Sequence, residues 1–418
     1  MGPGIPFGAE QRLLPEWIPL TFFAFALVCL PLGWLLLLIQ ADGLNDFSGD
    51  FGPMLAALHM FTLGVLMTTI FGASMQMLPV ATASAMNNPK AVVLLLLIAL
   101  SGVAILLGGF AHYFSHVALL GAFLLWGSTL IYTAFLYRIL RRAQNMALVK
   151  SHVFLGSCIL IIISSLGLLM VVEWAGLYDI PLPHPALLHG GLALYGFTGL
   201  MTFGFSRIMI PMLAVSNQTK EKLARATLLI TAAALFLWTA NLPIPALISG
   251  LIAACFYSGE MFYILKGRIR TRLGPEWHII RFAWLCLPFS LLIILIGYLS
   301  SNATPFIQIG FVLSILGWLV SFVIGILQRI IPFLLSMQIA RKTGMPELPS
   351  KLTHEKLLKA IGPLHMTAVG LLCMALALEN PLITRLASLC GMLAGFLFLS
   401  FFIIALRRKQ RSLETMQS

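Results

Sequence analysis

Apolar residues run along this chain in stretches of about twenty or more, separated by short clusters of charge, Gly, Pro and Asn. About 20 apolar residues cross roughly 30 Å of hydrocarbon as a helix. Read this way, the pattern predicts twelve spans, near residues 17–40, 53–80, 91–110, 116–138, 151–173, 186–214, 223–241, 244–265, 278–299, 306–335, 357–378 and 384–406. The seventh and eighth are divided only by Asn241-Leu242-Pro243, a tight re-entry rather than a long loop. The expected fold is an all-α membrane protein of about twelve transmembrane helices, with residues 1–418 forming a single polytopic domain.

One pattern occurs three times at fixed spacing: Gly, seven residues, Gly, six residues, Pro. It is Gly64, Gly72, Pro79 in the second span; Gly196, Gly204, Pro211 in the sixth; and Gly317, Gly325, Pro332 in the tenth. Glycines eight apart lie about 80° from one another on a helix. They make a small-residue flank where another helix, or a flat cofactor, can come close. Each proline is expected to close its span. Recurrence every four spans implies three four-helix units, approximately 17–138, 151–265 and 278–406, in a pseudo-threefold bundle.

Charge then orients the bundle. Only 10% of residues are charged and 60% are hydrophobic, against roughly 25% charged in a soluble domain. The net charge of +12 does not mark a nucleic-acid binder, because Lys and Arg sit in short linkers. Linkers after even-numbered spans carry Lys90; Arg141, Arg142 and Lys150; Lys220, Lys222 and Arg225; Lys266, Arg268, Arg270 and Arg272; and Arg341, Lys342 and Lys351. Linkers after odd-numbered spans carry Asp42, Asp46, Asp50 and Asp179, with Arg385 the exception. The positive-inside rule places both termini in the cytoplasm, in a membrane of the bacterial inner (plasma) type. The first sixteen residues lack a basic segment followed by a cleavage site, so the first span is expected to act as an uncleaved start signal. The six cysteines fall within apolar runs without a C-x-x-C pair and read as small hydrophobes.

Ionisable side chains inside a bilayer are costly and usually functional, and histidine is a ligand for haem iron and for copper. His59 and His189 stand just ahead of the first repeat glycine, in LHMFTLGVLMTTIFGASMQMLPV and LHGGLALYGFTGLMTFGFSRIMIPML. Their offsets from that glycine are five and seven residues, and the tenth span has Gly310 and Val312 at those offsets. Each reads as a haem ligand or as a buried imidazole bonded to a carbonyl. His365, well inside the eleventh span, and His152, at the start of the fifth, are further haem-ligand candidates. His112 and His116, four apart near the outer surface, could share copper on one helix face, with His184 on another outer loop; the alternative is interfacial polar residues beside Tyr113. His278 and His354 read as solvated. Glu260 lies near the inner end of its span at a height similar to Arg207, Arg281 and Arg329. It reads as half of an ion pair, or more sharply as a proton-entry carboxylate. Met60, Met67 and Met75 are candidate axial thioethers amid methionines that mostly pack.

Twelve spans, cytoplasmic termini, threefold internal symmetry and a histidine at the outer end of the second span resemble subunit I of the haem-copper oxidase superfamily. The phrases around His59 and His189 also resemble the NnrS-type membrane proteins described as containing haem and copper. The architecture covers nearly the whole chain; the motifs cover the second and sixth spans. The resemblance implies that His59 ligates a haem and that His189 or His184 ligates copper. It also implies electron transfer or nitric oxide handling, with a redox partner protein. The chain departs from the oxidase pattern: there are no paired histidines in the tenth span, no adjacent His-His pair and no His-x-x-x-Tyr in the sixth. A dioxygen-reducing haem–copper centre of the usual form therefore cannot be assembled. A secondary transporter and a cofactor-free scaffold of the same fold stay open as alternatives.

Overall fold

The computed structural model describes residues 14–82, 89–143, 146–216, 220–269 and 273–417; Arg270, Arg272 and most of the opening segment lie outside the described residues. Twelve helices among the described residues are long and apolar enough to cross a membrane. They are α1 (Trp17–Ile39), α2 (Pro53–Ala81), α3 (Pro89–Ala111), α4 (Ser115–Arg142), α5 (Ala147–Trp174), α6 (Pro185–Ala214), α7 (Glu221–Thr239), α8 (Pro243–Lys266), α9 (Glu276–Leu299), α10 (Ala303–Thr343), α11 (Glu355–Leu378) and α12 (Pro381–Thr415). The chain is a multi-pass, all-α membrane protein. Five of these helices begin on proline, whose fixed φ and missing N–H suit the first turn. The break at Asn241 is a tight turn with φ of 58°, as its Asn-Leu-Pro sequence predicts.

Both ends of the bundle are tied by polar contacts. At one end Lys409 of α12 pairs with Glu16 at 2.5 Å, which places the start of α1 beside the last helix. At the other, Arg385 pairs with Asp42 at 2.7 Å, and Gln308 donates to the Asn45 carbonyl at 2.9 Å. The termini and the basic linkers share the first end.

Three helices are buried most deeply: α2, α6 and α10, the ones carrying the glycine pattern. The α-helical ladder widens to π geometry at Met60–Met67, Leu192–Thr198 and Leu313–Val320. In all three the widened stretch begins four residues ahead of the first glycine. The glycine flanks are filled by the preceding helix. A Cβ on Gly64 or Gly72 would meet Cys29 or Phe22 of α1; on Gly196 or Gly204, Ile159 or His152 of α5; on Gly317 or Gly325, Cys286 or Ile280 of α9. Of the two occupants the spacing allows, these flanks therefore take a helix.

The prolines behave differently from expectation. Pro79 and Pro211 lie just inside their helix ends, but α10 continues past Pro332 to Thr343. A proline in a buried membrane helix removes one hydrogen bond that neighbouring groups make good, so it need not end the helix.

Candidate metal centre

α2 and α6 bring His59 and His189 together, with ring centroids 6.4 Å apart and ring planes inclined by 33°. The pair sits near the end of the bundle opposite the termini, one turn and two turns ahead of Gly64 and Gly196. The Nδ1–H of His59 donates to the Leu55 carbonyl at 3.0 Å, which leaves Nε2 as the nitrogen with a lone pair. His189 has a buried Nδ1 without a hydrogen-bond partner. Its ring stands beside the Ile163 carbonyl of α5 and over Gly167, where a Cβ would lie 3.0 Å from Cε1. Phe110 presses edge-on against His59 at 5.3 Å and belongs to an aromatic cluster with Phe51 and Trp174.

This donor set fits a metal. Imidazole nitrogens bind an ion at about 2 Å, so two rings opposed across one ion have centroids about 6 Å apart. One ring nitrogen of His59 is anchored by a backbone carbonyl, the usual support behind a ligating imidazole. Among the described residues no three His, Cys, Asp or Glu side chains converge into a cage, and the two imidazoles stand as a pair.

The other candidates lie apart from one another. His365 is fully buried on α11, with Nε2–H donating to Leu316 in the widened stretch of α10 at 3.1 Å and Nδ1 unpartnered. An aromatic chain links it through Trp34 to Phe61 on α2, two residues from His59. His152 has both nitrogens engaged: Nδ1 with the Leu148 carbonyl at 2.8 Å and Nε2 with Arg207 at 3.3 Å. It is a partner of the buried Arg207 rather than an open ligand. His112 and His116 do not share a helix face, because α3 ends at Ala111 and Tyr113 turns the chain at φ 58° before α4 begins. His184 is an exposed residue at the start of α6. Met75 packs in the core, and the Met60 thioether lies 3.6 Å from where a Gly64 Cβ would be.

The expected ion pair at Glu260 is present, with Arg207 at 2.9 Å and both side chains buried. Arg329 belongs to a second pair, with Glu276 at 2.5 Å. A set of buried hydroxyl contacts escaped the sequence reading. Tyr132 of α4 stacks on Phe71 and meets Ser74 at 2.8 Å; Tyr257 of α8 stacks on Phe203 and meets Ser206 at 2.7 Å. In both units the serine stands two residues after the second repeat glycine, a signal the sequence does contain. Tyr195 bridges Ser314 at 2.5 Å and Ser290 at 3.4 Å, tying α6 to α10 and α9.

No protein-family model matches the chain, and no curated protein matches it.

Proposed function

We propose that this is a haem-binding electron-transfer protein of the membrane, of the haem-copper oxidase subunit I-like type, in which His59 and His189 would hold the haem. The observation that carries the reading is the approach of these two imidazoles, from different helices, to 6.4 Å between ring centroids; the resemblance by itself would put His59 on haem and His189 on copper. Held by these two residues, the group would supply a one-electron couple. The protein's part is to hold the rings: Leu55 fixes the tautomer of His59, Gly167 makes space for His189, and the aromatic cluster around Phe110 limits rotation of His59.

The finer architecture belongs to the same proposal. The common register of the widened stretches and the matched glycine contacts support three four-helix units around α2, α6 and α10. Cytoplasmic termini and a bacterial-type inner membrane follow from the basic linkers and the resemblance. A fluorescent protein fused at the C-terminus should fluoresce in a bacterial host, and a periplasmic phosphatase fused after Asp179 should be active; the opposite pair of results reverses the orientation.

The test of the haem reading is an absorption spectrum of the purified protein, oxidised and dithionite-reduced, with a pyridine haemochrome assay. A Soret band near one haem per chain is expected, lost or converted to a high-spin form in His59→Ala and in His189→Ala and retained in His152→Ala. Protein from haem-replete cells without a Soret band sinks the proposal. Stoichiometric copper in its place would assign the pair to a copper ion, and absence of both would turn attention to the transporter and scaffold readings.

A further inference from the structure

A second site lies at the end of the bundle that carries the termini. A cavity of about 460 Å³ opens there between α1, α2 and α10. Its wall is part apolar, from Leu14, Trp17, Leu334 and Met337, and part polar, from Glu16, Gln76, Gln338, Arg341 and Lys342. Gln76 is 3% exposed, and its Oε1 has no hydrogen-bond partner. A buried amide without a partner is costly, and the Gln76 side chain forms part of the cavity wall. The charges around the opening do not balance. Glu16 is already paired with Lys409 at 2.5 Å, and Lys409 also donates to Gln338 at 3.1 Å. Lys342 stands 3.7 Å from Glu16, and Arg341 makes no ion pair among the described residues. Among the described residues of the wall, Arg341 and Lys342 stand with the single carboxylate of Glu16, which Lys409 already neutralises from behind.

We propose that this cavity binds a phosphate-bearing anion. The guanidinium of Arg341 suits a phosphate with two parallel hydrogen bonds, Lys342 adds a second positive charge, and the Gln76 amide can turn its NH2 toward a phosphate oxygen. Basic pockets between helices on the positive side of a membrane protein are recognised sites for anionic headgroups. The apolar part of the wall, with half-exposed Trp17 at its edge, gives a lipid's glycerol and acyl chains a surface that a free ion would not use. The site is independent of the histidine pair, which lies at the opposite end.

The experiment is a thermal-unfolding series on the full-length protein, delipidated in a neutral detergent. Phosphatidylglycerol, phosphatidylcholine and inorganic phosphate are added in turn at constant ionic strength, and bound lipid is counted by native mass spectrometry. Phosphatidylglycerol is expected to raise the midpoint by about 3 °C or more over phosphatidylcholine. The double variant Arg341→Glu, Lys342→Glu should abolish that difference, and Gln76→Leu should weaken binding about fivefold. The control Arg141→Glu, Arg142→Glu carries the same charge change at exposed positions elsewhere on that end and should keep the response. A shift with the lipid alone assigns a headgroup; a shift reproduced by inorganic phosphate, abolished by the same double variant, assigns a soluble phosphate. Equal response to both lipids with none to phosphate, retention in the double variant, or equal loss in the control overturns the proposal.

Discussion

Glu260→Ala should lower the stability of the detergent-solubilised protein by about 3–5 kcal/mol, the cost of leaving one half of a buried ion pair without the other. Arg207 is 7% exposed and Glu260 2%, so neither charge can be recovered by water without opening the packing of α5, α6 and α8. The guanidinium already bonds the Phe203 carbonyl at 2.8 Å and His152 at 3.3 Å and lies over the Tyr257 ring. None of these carries negative charge, so the carboxylate is what balances it. The double replacement Arg207→Met, Glu260→Leu should recover most of the loss, because an apolar pair of similar volume pays neither desolvation cost. Unfolding in a denaturant series on the wild type, both single variants and the double variant measures the coupling. A Glu260→Ala protein as stable as the wild type would mean that the carboxylate is not balancing the arginine.

The second large effect is a packing one. Gly121→Ala should cost about 1–3 kcal/mol, the range for overpacking a filled interior. A Cβ at Gly121 would fall 2.3 Å from the backbone nitrogen of Leu106. Backbone cannot rotate away as a side-chain tip can, so α3 and α4 must separate. Gly109 makes the reciprocal approach, its added Cβ falling 2.4 Å from the Ala118 nitrogen. Gly127→Ala on the same helix is the matched control, since nothing lies within 4 Å of its Cβ position. Removing a helical glycine there should be neutral or slightly stabilising. Thermal unfolding of the two variants side by side checks the contrast, and equal midpoints would contradict the close approach.

How much of this was legible beforehand depends on the kind of information each feature uses. The spans follow from hydropathy because lipid rewards any long apolar run, and all twelve appear close to their predicted positions. The extensions of α10 and α12 were missed, since their last turns carry exposed polar residues such as Arg341, Lys342 and Arg411 and hold no unbroken apolar run. Pro332 misled for a related reason: the proline rule is written for helices in water. The glycine spacing pointed to close contact without saying with what; the answer, α1, α5 and α9, required three dimensions. His59 and His189 stood out one by one as ionisable groups in apolar runs. Their proximity was hidden, because the offsets of five and seven residues are unequal and each helix widens to π geometry between its histidine and its glycine, which changes the angular register. The His112 and His116 spacing suggested a helix face only while the turn at Tyr113 was unseen.

α10 has 41 residues and α12 has 35, about 60 and 50 Å of helix at 1.5 Å per residue, against roughly 30 Å of hydrocarbon. The two are clasped by Lys409 and Gln338 at the end carrying the termini. A particle in a detergent micelle should therefore show a short mast on one face only. That mast breaks the near-featureless outline of a small membrane bundle. It supplies an alignment mark for electron cryomicroscopy without an added antibody fragment.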